Sequence, residues 1–216
     1  MNYEFKAWPK IPRLSKMQCG ITEKLDGTNA IIHITPLIGD SIPAFEAGAA
    51  CVVHTDGHQG SLVVFAGSRS RWVQPQPKSD NFGFAKWVAD NATKLVELLG
   101  EGTHYGEWWG QGIQRTYGLT KKYFTLFNPW RYGCGQNPAI PQAREQIERD
   151  TLLGVVPILS QEQFNPSVVG DVELQLTETG SVAVPGWMTP EGFVVSIANE
   201  KYKVVIHGDG NKKVGA

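Results

Sequence analysis

The chain has 216 residues, is 41% apolar, and sets 20 Lys and Arg against 21 Asp and Glu for a formal net charge of -1. That length supports one substantial core, so a single domain over residues 1–216 is expected. The near-neutral balance excludes a surface that is basic all over, the usual footprint of a protein that holds nucleic acid through its phosphates.

Glycine and proline, 24 and 13 in number, cut the chain into short runs. The first residues, with Glu4, Lys6 and Pro9, lack the apolar core of a signal peptide. Runs rich in β-branched residues at 30–34, 51–55 and 61–66 read as antiparallel strands, with Asp56-Gly57 as a hairpin turn. Phe84, Trp87, Val88, Leu95 and Leu99 then recur at helical spacing. Ser79 or Asp80 can cap that helix, and Gly100 can end it. Alternation places Tyr105, Glu107 and Trp109 on one face of a strand. A run at 123–127 is followed by a second, more polar helix, opened by Pro141 and reaching about Leu153. Further strands are expected at 155–159, 193–197 and 202–206. Strands with a few helices outside them predict an α+β fold rather than a doubly wound α/β one. No apolar run is long enough to cross a bilayer, so no membrane contact is expected. Cys19, Cys51 and Cys134 are odd in number and widely spaced, which suits a reducing cytoplasm.

Several short stretches can carry chemistry. Glu23-Lys24-Leu25-Asp26-Gly27-Thr28-Asn29 puts an amine two residues before a tight turn, where it can face a pocket and attack phosphorus. A bland reading is an exposed lysine beside a turn. Arg69 and Arg71, among small residues 66–70, suit phosphate contact, or form an ordinary basic loop. Gly106-Glu107-Trp108-Trp109 sets a carboxylate beside two tryptophans, which also suit a core. Lys201 and Lys203 share one face of a strand, while Tyr202, Val204 and Ile206 share the other. Paired lysines on a pocket wall neutralise charge on a transferring phosphoryl group. Read alone, the same strand is an amphipathic surface element. His54 and His58 flank a turn without further partners, so metal binding there is not expected. No phosphate-loop motif of the Gly-x-x-x-x-Gly-Lys kind is present.

Taken in order, these pieces resemble the covalent nucleotidyltransferases, and within them the RNA ligase family. Lys24-x-Asp26-Gly27 resembles the nucleophile motif. Ser68-Arg69 follows it as in many ligases. Gly106-Glu107, with Gly112-Ile113-Gln114 behind it, is similar to the third motif. The aromatic strand 122–128 has Asn128 where the family usually has Asp. Glu191-Gly192-Phe193 and Lys201-x-Lys203 resemble the last two motifs. The order holds from about Ile21 to Ile206.

The resemblance implies a nucleotidyltransferase core, of the ATP-grasp-like ligase adenylation kind, with two antiparallel sheets and flanking helices. Thirteen residues follow Lys203, too few for an OB-fold domain, so a bare core without one is expected. It implies an ATP-dependent ligase of polynucleotides, of RNA above all, acting through a lysyl-AMP on Lys24. Glu191 would serve Mg²⁺ or Mn²⁺, and Lys201 and Lys203 would steady the α-phosphate. Glu23, Asn29, Arg69, Glu107 and Phe124 would hold the nucleotide, although core packing is the plain reading of Phe124. ATP and RNA ends are the implied partners, together with a protein that supplies a missing substrate-binding domain. A GTP-dependent capping guanylyltransferase, a DNA ligase, and an inactive nucleotide- or RNA-binding module are the alternatives.

Overall fold

A computed structural model describes residues 4–37, 49–54, 60–133 and 140–207. Two sheets form. One holds β1 (Gln18–Lys24), β9 (Ile158–Gln163), β10 (Gly192–Ile197) and β11 (Glu200–Val205) in the order β11-β10-β1-β9, all antiparallel. The other runs β3-β4-β2-β6-β7-β8, from β2 (Thr28–Pro36), β3 (Ala49–His54), β4 (Ser61–Gly67), β6 (Gly102–Gly110), β7 (Lys122–Leu126) and β8 (Leu153–Val155). The two-residue β5 (Trp72–Val73) pairs with β4. Among the described strands only β7 and β8 lie parallel, and an isolated parallel bridge joins Gln142 to Val155. Antiparallel sheets flanked by helices are therefore present, as the strand-rich pattern implies.

Each sheet has one helix against its outer face. Ala30, Ile32 and Ile34 alternate along β2 and meet Phe84, Ala85, Val88, Ala92 and Leu95 of α1 (Phe84–Leu99) in the largest core cluster. Asp80 caps α1 as expected: its carboxylate accepts the Ala85 and Lys86 backbone N–H groups at 2.7 and 3.3 Å. Gly100 ends it, with φ 68°. The short α2 (Pro129–Tyr132) follows β7. The helix expected from Pro141 to about Leu153 is shorter, α3 (Ala143–Arg149), because Asp150 turns left-handed at φ 53° and β8 starts at Leu153. The strand expected at 155–159 is split, its first residue closing β8 and its last two opening β9.

Behind the four-stranded sheet lies α4 (Pro166–Thr179), which the sequence reading did not anticipate. Val168, Val172 and Leu176 pack on Cys19, Ile21, Phe193 and Val195. Asn165 caps it, accepting the Ser167 N–H at 3.2 Å, and Pro166 occupies its first turn.

A third apolar cluster packs Trp109 and Tyr123 of the larger sheet against Leu25, Tyr117, Val156 and Ala183 from the connecting segments. The chain passes between the sheets twice, from β1 to β2 through residues 25–27 and from β8 to β9 through 156–157. The two crossings are neighbours: the Glu23 N–H donates to the Pro157 carbonyl at 3.0 Å. Among the described residues no helix is long and apolar enough to cross a membrane. Asp56-Gly57, His58, Cys134, Gly208-Asp209-Gly210, Lys212 and Lys213 lie outside the described residues.

Candidate active site

Lys24 is the last residue of β1 and pairs in register with Gly192 of β10. That pairing brings the neighbouring Glu191 to it, and Lys24 Nζ lies 2.5 Å from Glu191 Oε2. Gly192 sits at φ 149°, with Val204 backbone packed where a side chain would be. Across β10, Val194 faces Lys203 and Ser196 faces Lys201. The alternation expected of β11 holds in part: Val204 and Ile206 pack with the α4 cluster and both lysines border the cleft, but Tyr202, expected on the opposite face, borders the cleft as well.

The cleft has a volume of about 770 Å³ and is bordered by residues of both sheets. Thr22, Lys24, Val194, Ser196, Lys201 and Lys203 come from the four-stranded sheet, and Thr28, Asn29, Arg69 and Glu107 from β2, β6 and the loop after β4. Glu107 holds the turn that follows Lys24 and β1. Its Oε1 accepts the Gly27 N–H at 3.0 Å, and its Oε2 accepts from Asn29 Nδ2 at 3.4 Å. Only glycine fits at 27, because a Cβ there would lie 2.6 Å from the Trp109 Cβ. Burial pushes the Glu107 carboxyl up to about 8, and the Glu191 and Asp26 charges add to the rise. Lys24 and the Gly27 N–H oppose it. Burial therefore favours the protonated form of Glu107 near neutral pH.

Lys24, Glu191, Lys201, Lys203, Arg69, Asn29 and Glu107 thus converge on one cleft. Two expected nucleotide contacts do not take their expected place. Phe124 is wholly buried beneath α1, against Phe84 and Trp87. The aromatic rings that border the cleft, among the described residues, are Phe127, just past the end of β7, and Tyr202 of β11. Glu23 borders the cleft, but both of its carboxylate oxygens are used by the fold. Ser181 Oγ donates at 2.5 Å, and the Val182 and Ala183 N–H groups donate at 2.9 and 2.8 Å. Burial raises its pKa, and these hydrogen bonds oppose the rise. Asn128, in the place of the family's acid, caps α2 by accepting the Arg131 N–H at 3.1 Å.

Asp26 and Arg115 were not singled out. Asp26 is buried, and Arg115 Nε lies 2.8 Å from its Oδ2. Arg115 also donates to the carbonyls of Thr189 and His207. The Asp26 N–H donates to the Tyr117 hydroxyl at 2.8 Å. Gln114, Thr116 and Tyr117 adopt φ of 43°, 54° and 52°, a conformation rare for residues with side chains. The strained loop so formed grips the nucleophile turn from behind. The nearest sequence signal was Gly112-Ile113-Gln114, which directly precedes Arg115.

Among the described residues no group of three or more His, Cys, Asp or Glu side chains could hold a metal ion. His54 instead pairs with Ser61 at 2.8 Å.

A sequence model of the RNA ligase family matches residues 18–206. No curated protein matches the chain. Among solved structures, Naegleria gruberi RNA ligase with PPi is 15% identical, with a TM-score of 0.46 over 88% of this chain and 50% of that one. A variant of that ligase with ATP and Mn is 15% identical, with a TM-score of 0.47 over 89% and 50%. Another variant, with AMP and Mn, gives 15% and 0.46 over 88% and 50%. The chain spans about half the length of these structures. With the family model matched from the first strand to the last, and its motifs gathered on one cleft, the chain belongs to the RNA ligase family.

Proposed function

We propose that this chain is an ATP-dependent RNA ligase with a nucleotidyltransferase core, in which Lys24 becomes adenylylated, Glu191 Oε2 faces the Lys24 amine, and the other carboxylate oxygen is free to face a metal. The observation that carries the reading is the Lys24–Glu191 contact of 2.5 Å inside a cleft also bordered by Lys201 and Lys203.

The steps balance as follows. The proton on Lys24 Nζ has Glu191 Oε2 as its acceptor. The freed lone pair attacks the α-phosphorus of ATP, a P–N bond forms, and the bond to pyrophosphate breaks. Lys201 and Lys203 face the charge that develops on the α-phosphate oxygens. An RNA 5′-phosphate then attacks the same phosphorus, releasing Lys24 and forming a pyrophosphate-linked end. A 3′-hydroxyl attacks that end, a phosphodiester forms, and AMP leaves. Asn29, Arg69 and Glu107 hold the nucleotide, and Phe127 rather than Phe124 offers a ring to its base.

The donor set fits Mg²⁺ or Mn²⁺ in one way. Mg²⁺ is commonly held by one or two carboxylates with water and substrate phosphates, and Glu191 is such a carboxylate at the cleft wall. The metal would supply charge neutralisation at the phosphates. The buried Cys19 thiol suits the reducing cytoplasm.

Incubation with radiolabelled ATP and Mg²⁺ or Mn²⁺, followed by denaturing electrophoresis, should mark the chain. Lys24→Ala should abolish the label without unfolding the protein. Labelling by GTP alone would favour cap transfer, and unchanged labelling of Lys24→Ala would place the nucleophile elsewhere.

A further inference from the structure

The segment before β1 is the most exposed apolar stretch of the described chain. Phe5, Trp8, Ile11 and Leu14 are 91%, 87%, 80% and 51% exposed. They recur every third residue. Trp8 and Ile11 each precede a proline, which holds them extended. Arg13 lies at φ -83° and ψ 125°, near polyproline II geometry. That helix has three residues per turn and advances about 9 Å each turn. In that geometry every third side chain falls on one ridge, which would align Phe5, Trp8, Ile11 and Leu14 as a continuous apolar one. Lys10, Arg13 and Lys16 fall on the next ridge, with the same spacing. Lys6, Pro9 and Pro12 make the third. The 3-10 turn Leu14–Lys16 also has three residues per turn, so the register carries through it.

The charge is as uneven as the polarity. Residues 4–16 carry four cations and one acid, Glu4, in a chain of net charge -1, so the remainder is net negative. Basic residues elsewhere are partly spent: Lys121 pairs with Asp150, and Arg115 with Asp26. The arm concentrates the accessible positive charge that the overall balance lacks. At its root, Met17 and Gln18 border a groove of about 480 Å³ with Trp130 and Gln161. The Trp130 indole lies over Gly20 and donates to Gln161 Oε1 at 2.9 Å. The arm and Lys24 are attached to opposite ends of β1, about 20 Å apart.

We propose that residues 5–16 form a binding arm for single-stranded RNA, with bases stacking on Phe5 and Trp8 and phosphates meeting Lys10, Arg13 and Lys16. The partner rests on the ligase reading above. An aromatic ridge beside a cationic ridge is what a single strand needs, because each base offers a flat face and each phosphate a charge. A buried protein interface would favour acids among the cations or an apolar ridge alone. The arm would hold the strand whose end is being sealed, outside the nucleotide cleft.

The test uses the full chain and a fluorescently labelled, 5′-phosphorylated single-stranded RNA, read by anisotropy across a salt series. Phe5→Ala with Trp8→Ala should weaken binding by about tenfold or more, with the salt slope kept. Lys10→Gln with Arg13→Gln and Lys16→Gln should flatten the log–log salt slope by about 2, at about 0.7 per phosphate contact. Duplex RNA of equal length should bind the wild type more weakly than the single strand. Both variants should still be labelled by ATP, because neither alters the cleft. Binding by both variants within twofold of wild type overturns the arm. So does a change in oligomeric state of the aromatic variant with RNA affinity unchanged, which would make the ridge a self-association surface. If the wild type takes no label from ATP, the ligase reading fails separately, whatever the anisotropy shows.

Discussion

Glu107 is the residue whose charge its surroundings control most. Its carboxyl is raised from 4.5 to about 8, chiefly by burial. Below about pH 4.5 the folded and unfolded chains both hold this proton. As pH rises toward 8 the unfolded chain gives it up while the folded chain keeps it, so stability is lost across that window. Glu107→Gln keeps an oxygen for the Gly27 N–H and removes the titration. Denaturation midpoints from pH 5 to 8.5 should fall less steeply for the variant, with a gain of a few kcal/mol near pH 8. Equal slopes for the two proteins would show that Glu107 is ionised when folded. The acids and amines of the cleft were legible because each lies in a short motif whose spacing sets its strand face. Phe124 and Glu23 were not. An aromatic strand shows which residues alternate, but not which face meets the helix. A carboxylate before a nucleophile gives no sign that Ser181 and the 182–183 backbone will enclose it.

The loop between β6 and β7 shows how an element can serve a site it never enters. Arg115 neutralises the buried Asp26, and removing one partner of such a pair leaves an uncompensated charge inside. Arg115→Ala should cost about 3 kcal/mol or more in urea denaturation. It should also slow adenylylation, because the turn that follows Lys24 loses its support. Arg115→Lys should recover only part of both losses, since an ammonium lacks the planar fork that reaches three acceptors. Full activity and stability in Arg115→Ala would make the loop a bystander. On the far side of the β1 sheet, Leu176 of α4 is fully buried. Leu176→Ala should cost about 2–5 kcal/mol, measured the same way. The α1 helix was legible because large apolar residues recur along it between a cap and a glycine. The α4 helix was hidden by Val168, Val169, Gly170 and Val172, all modest or poor helix formers. Its remaining signs were Asn165-Pro166 at the start and Gly180 at the end, and packing on β1 and β10 overrides the propensity.

At the scale of the whole molecule, charge and topology decide what the chain can hold. With a net charge of -1, strand binding must come from few basic residues, whereas the proposed ATP site in the cleft gathers several of them at once. Sealing by pre-adenylylated protein should therefore fall steeply between about 50 and 200 mM salt, while self-adenylylation changes little. Sealing that is fast and indifferent to salt would show that strand binding does not rest on phosphate contacts. The order of strands was the least legible feature. Local patterns mark a strand without naming its neighbour, and β1 finds its partners β9 and β10 from far along the chain.

That topology sets a mechanical condition on the nucleophile. The two walls of the cleft are joined by two adjacent chain crossings, at residues 25–27 and 156–157, and Lys24 is the residue just before the first. If one wall turns against the other, that pair of crossings is the fulcrum. Displacement grows with distance from a fulcrum, so Lys201 and Lys203, out on the edge strand β11, swing through the longer arc. The amine barely travels. Such a turn would widen or narrow the cleft while the Lys24 amine stayed near the still point, as a blade moves about its pivot.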